Sequence, residues 1–140
     1  MTKHDIIHLP IEEQPLLWAA VVWVSLQYQN ETTTKKVRRP QQVYQQDDGK
    51  IIGRLIVEIR RQLGGERFDR SGIKFQTVKA RVLQSRMNEG LSVEKRNFYS
   101  SVIATFFSWT YHGTPESRRE IVNLIASFPP PPRNLNRNEG

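Results

Sequence analysis

The chain has 140 residues, the size of one ordinary domain, and can bury enough apolar surface to fold around a single core. It contains no cysteine, which excludes disulfides, thiolate metal sites and cysteine nucleophiles and fits a reducing cytoplasm. Lysine and arginine number 21 against 14 aspartates and glutamates, a net charge of +7 with an isoelectric point near 10.1. Such an excess draws polyanions and speaks of partners rather than fold. Most of it falls between Gln29 and Leu91.

The first ten residues include Asp5 and hold no apolar core, so they do not read as a secretory signal, and residues 1–11 are expected to be flexible. His4, Asp5 and His8 could share a helical face, but two histidines near a free end are read as a solvated terminus rather than a metal site. A first helix is expected to start around Glu12 to Pro15, where proline and two carboxylates suit the first turn, and to run to about Tyr28. Its apolar run, residues 16–26 broken only by Ser25, is far shorter than the roughly 20 residues of a membrane span. Apolar side chains project all round it, the pattern of a helix covered on most sides.

Residues 29–46 have little apolar content and carry Lys35, Lys36, Arg38 and Arg39, a long basic loop of the kind kept for function or left disordered. Ile51, Ile52, Leu55, Ile56, Ile59 and Leu63 then repeat at three-to-four spacing and define a second helix preceded by Asp47 and Asp48. Its opposite face carries Arg54, Arg60 and Arg61, with Glu58 placed to pair with Arg54 or Arg61. Gly64-Gly65 ends it. Residues 73–88 read as a third helix wedged between two neighbours, with Phe75, Val78 and Val82 on one side and Ile73, Ala80, Leu83 and Met87 on another. The alternation of Ile73, Phe75 and Thr77 also permits a short strand there.

Ser92 is an N-cap for a fourth helix reaching about Tyr111 on a spine of Phe98, Val102, Phe106 and Trp109. Gly113 is expected as a left-handed stop, with Thr114 the next N-cap and Pro115 the first residue of a fifth helix to about Ser127. Ile121, Val122, Leu124, Ile125 and Phe128 form its expected buried arc, and the last two helices are expected to pair as an antiparallel hairpin. The prolines of residues 129–132 lead a tail, residues 129–140, with little to fix it. The fold expected is all-α, one helical bundle of about five helices over residues 12–128.

No arrangement of residues specifies a reaction. Glu12-Glu13 and Asp47-Asp48 sit at helix starts, where dipole compensation accounts for them, and His112 suits the last turn of a helix. Gly64-Gly65 lacks the flanking residues of a phosphate-cradling loop, and the serines lack a nucleophile context. An enzyme is therefore not expected, nor a cofactor, a metal or a small-molecule substrate.

The remaining constellation is basic, and arginine's planar fork suits phosphate. The nucleic-acid-binding candidates are Lys35, Lys36, Arg38 and Arg39 in the loop, Arg54, Arg60 and Arg61 on the second helix, and Lys74, Lys79, Arg81 and Arg86 on the third. Tyr44 and Phe68 are the aromatics left over for base stacking.

A short, cysteine-free, basic helical bundle over residues 12–128 resembles the small subunits of CRISPR effector complexes, type I-D among them. The resemblance implies an accessory subunit in a ribonucleoprotein, stacked beside other subunits or further copies of itself. Its basic faces would hold target or displaced DNA, or a guide RNA-DNA hybrid, by the backbone. It implies a cytoplasmic protein with no membrane partner. Two other readings stay open: a protein-interaction module using the apolar first helix and the proline tail, and a helical DNA-binding regulator. For the last, the connection over residues 64–72 is longer than a helix-turn-helix turn.

Overall fold

A computed structural model describes residues 9–31, 46–64 and 72–126, which form an all-α bundle of five α-helices led by a short 3-10 turn at Ile11–Glu13. The helices are α1 Gln14–Glu31, α2 Gln46–Leu63, α3 Ile73–Asn88, α4 Val93–His112 and α5 Pro115–Ile125. No strand occurs among the described residues, and the alternation at Ile73, Phe75 and Thr77 lies within α3. The basic loop from residue 32 to 45 and the proline-led tail lie outside the described residues, as do His4, Asp5 and His8.

The sequence explains where the helices begin. Ser92 accepts a hydrogen bond from the Lys95 amide and caps α4. Thr114 caps α5 in a reciprocal box with Ser117, and Pro115 takes the first position, where its missing N–H costs nothing. α2 starts a turn earlier than the spacing suggests. Asp47 and Asp48 therefore lie in its first turn, with Arg60 and Arg61 in its last, both complementary to the helix dipole. Gly64, at φ 66°, supplies a left-handed stop where the glycine pair was expected to end the helix.

α1 is the hub. It packs against α4, α5 and α2, while α3 closes the bundle against α2 and α4. Leu16, Leu17, Ala19, Ala20, Val21, Val22 and Val24 are all buried on it, as an all-round apolar pattern requires. Ser25, also buried, returns its hydroxyl hydrogen bond to the Val21 carbonyl at 2.8 Å. The core includes Leu9, which is buried and whose carbonyl accepts from the Gln14 side-chain amide at 3.1 Å.

Three local expectations are corrected. α3 buries one arc, Phe75, Val78, Lys79, Val82 and Leu83, rather than two, and Ile73 is 78% exposed. Gly113 is extended, with φ −83° and ψ 165°, and is not a left-handed stop. It is required for space instead: a Cβ would lie 2.7 Å from the Trp109 carbonyl oxygen. With Thr114 extended as well, the chain is carried away from α4, and α5 lies against α1 instead of forming a hairpin with α4. Of the arc expected on α5, Ile125 is buried, Ile121 and Val122 are half-buried, Leu124 is exposed, and Phe128 lies outside the described residues.

Candidate nucleic-acid interface

The basic residues of α2 and α3 separate into those built into the fold and those left on its surface. Arg60 belongs to the first group. Its guanidinium forks onto Glu13 with Nη1 to Oε1 at 2.6 Å and Nη2 to Oε2 at 3.0 Å, and its Nε donates to the Tyr111 hydroxyl at 3.1 Å. It also lies within 5.5–5.8 Å of the ring centres of Phe106, Phe107 and Tyr111. Burial alone would lower its pKa, but the Glu13 bond and charge outweigh this and leave it above the ordinary value. Arg60 thus ties the entry to α1 and the end of α4 to α2.

Lys79 is likewise drawn into the fold. It is 8% exposed, with its ammonium 5.4 Å from the Phe75 ring centre, and desolvation pushes its pKa down. Expected among the phosphate-binding cations, it instead lies on the single buried arc of α3. Arg86 is half-buried, pairs with Glu89 at 3.1 Å across the end of α3, and contributes positive charge near Tyr99.

Tyr99 and Lys95 anchor α4 to α2 through the buried Asp48, which accepts from both at 2.7 Å. Asp48 is therefore a cross-helix acceptor as well as a dipole-compensating residue. Arg118, on α5, donates to the carbonyls of Trp109 and Gly113 at 3.1 and 2.9 Å and closes the end of α4.

Arg54, Arg61, Lys74 and Arg81 are exposed. Lys50 joins them one turn before Arg54 on the same face of α2, at the four-residue spacing that could have revealed it. Of the two pairings the spacing allows, Glu58 takes the one to Arg61, on Oε1, and accepts the Gln62 amide on Oε2 at 2.8 Å. Gln62 in turn accepts from Arg81 Nη1 at 3.0 Å, which joins the exposed faces of α2 and α3. The Gln62 bond, opposed by partial burial and helped by Arg61, holds the Glu58 pKa below the usual carboxylate value. Lys74 lies two turns before Arg81, and α3 carries no carboxylate at all.

Past the first turn of α2, which carries Asp47 and Asp48, the face presents five cations beside one carboxylate, with amide and hydroxyl groups of Gln62, Thr77, Gln84 and Ser85 also exposed on the two helices. Groups of these kinds can hydrogen-bond and neutralise phosphate oxygens. Lys35, Lys36, Arg38, Arg39, Tyr44 and Phe68 lie outside the described residues. Among those described, no group of acidic, histidine or cysteine side chains could hold a metal ion, and no helix is long and apolar enough to cross a membrane. Comparison with protein-family models, curated proteins and solved structures finds no match to this chain.

Proposed function

We propose that the chain binds nucleic-acid backbone without sequence preference and without catalysis, through the exposed face of α2 and α3. In this reading it serves as an accessory small subunit of a ribonucleoprotein, such as a CRISPR interference complex, steadying target or displaced DNA. The observation that carries the reading is the surface of Lys50, Arg54, Arg61, Lys74 and Arg81 on two packed helices, with Glu58 the one carboxylate on either helix past the first turn of α2. Against docking through α1 as the main role, most of that helix's apolar surface is consumed by the bundle, leaving Trp23 as its large exposed ring.

The test is titration of a labelled mixed-sequence strand over a range of salt. Log affinity should fall linearly with log salt, by roughly 0.7–0.9 per phosphate neutralised. Replacing Arg54, Arg61 and Arg81 together with glutamine should weaken binding to all sequences alike and flatten the slope, since each lost contact carries charge and no base information. A triple variant with wild-type slope, or one with altered sequence preference, defeats the backbone reading.

A further inference from the structure

Past the first turn of α2, Glu58 is the one carboxylate on either helix of the basic face. Its two oxygens take donors from two residues, Arg61 on one and Gln62 on the other, and Gln62 passes the connection to Arg81 on α3. Two donors converging on two oxygens of one anion is also how a phosphodiester would be held.

The carboxylates that bond between elements differ in setting. Asp48 is buried and Glu13 half-buried, and both bind residues far away in sequence, so both hold helices together. The Glu58 and Arg61 side chains are 34% and 62% exposed and stand three residues apart on one helix. Such a pair contributes little to folding and is readily exchanged for another anion.

We propose that Glu58 is an internal stand-in for phosphate. It occupies the anion position of the α2–α3 face, holds Arg61 directly and Arg81 through Gln62, and yields both to an incoming phosphodiester. This rests on the backbone-binding reading and adds a regulator to it. Because Arg61 is already neutralised by a carboxylate, its transfer to phosphate exchanges one ion pair for another. Glu58 thus lowers both the affinity and the salt dependence of the face, keeping attachment to any one stretch of backbone reversible.

The experiment compares wild type with Glu58→Gln, Arg61→Gln and the double variant, by salt-series anisotropy on one labelled mixed-sequence strand. Glu120→Gln on exposed α5 makes the same change in net charge elsewhere and serves as control. Glutamine at 58 keeps an acceptor for Gln62 but releases Arg61, so Glu58→Gln should bind roughly three- to fivefold tighter at low salt, the scale of one exposed ion pair. Its salt slope should steepen by roughly 0.7–0.9, one further phosphate neutralised. The gain should vanish when Arg61 is also glutamine. A Glu58→Gln protein matching the Glu120→Gln control, or a gain that persists without Arg61, overturns the stand-in role while leaving the interface intact. Wild-type protein with no salt-dependent binding overturns the interface itself, and the stand-in with it.

Discussion

Lys79 and Tyr99 show how burial acts in opposite directions on a base and an acid. The Lys79 ammonium has a ring beside it, and desolvation lowers its pKa below 10.5. The Tyr99 phenol is raised well above its ordinary 10.0, first by burial and then by its bond to Asp48. At neutral pH the unfolded chain holds Lys79 charged at no cost, whereas the folded chain must desolvate it, so the residue opposes folding. Between its depressed folded pKa and 10.5 the unfolded state binds more protons, and stability should rise with pH. Tyr99 works against this above pH 10, where the unfolded phenol ionises and the folded one does not. Replacing Lys79 by methionine keeps the aliphatic stem and removes the charge. Calorimetry at pH 7 should find the melting temperature raised by roughly 2–4 °C and the alkaline rise gone. An unchanged or lower melting temperature would mean that the ammonium is better solvated than its burial implies.

At the scale of elements, the junction of α4 and α5 marks what local sequence signals convey and where they stop. Thr114 and Pro115 announce a helix start through side-chain chemistry that any context preserves. Gly113 announces only that a side chain is unwelcome. The usual reason, a left-handed conformation, would have turned α5 back along α4; the actual reason is the Trp109 carbonyl in the way. The same residue serves both readings, and only the backbone angles decide, so the hairpin expectation failed while both helices were legible. Gly113→Ala should therefore destabilise by more than the about 0.5–2 kcal/mol of removing the Thr114 cap hydroxyl, measured by denaturant unfolding of the two variants. If Gly113→Ala were the milder of the two, the close approach would not be what fixes the turn.

For the whole molecule, the helical class was legible because the apolar periodicity of α2 and the all-round pattern of α1 leave few ways to bury their surface. The site was legible only in part. A list of cations cannot distinguish Arg60, which faces Glu13 across 47 positions of sequence, from Arg61 beside it, because that distinction is tertiary. Lys50 could have been found by spacing alone, whereas Lys79 could not have been excluded without knowing which arc of α3 is covered. The hub position of α1 carries its own expectation. Ala19 and Ala20 are fully buried on a helix that touches three others, so a larger residue there has no nearby space to move into. Ala20→Leu should cost about 1–3 kcal/mol and lower one cooperative transition, followed by circular dichroism in urea. Loss of α5 alone in a separate early step would show that α1 does not bind the bundle into one unit.

The edge-on pair of Trp23 and Trp109, with ring centres 6.0 Å apart and planes inclined at 72°, links α1 to α4. The chain's third tryptophan, Trp18, is also on α1, and neither helix of the basic face carries an indole. The molecule thus places the Trp23–Trp109 pair at the α1–α4 contact and the exposed cations of the proposed interface on α2 and α3. Indole emission should therefore report the separation of α1 from α4, an unfolding signal independent of the label used to follow strand binding.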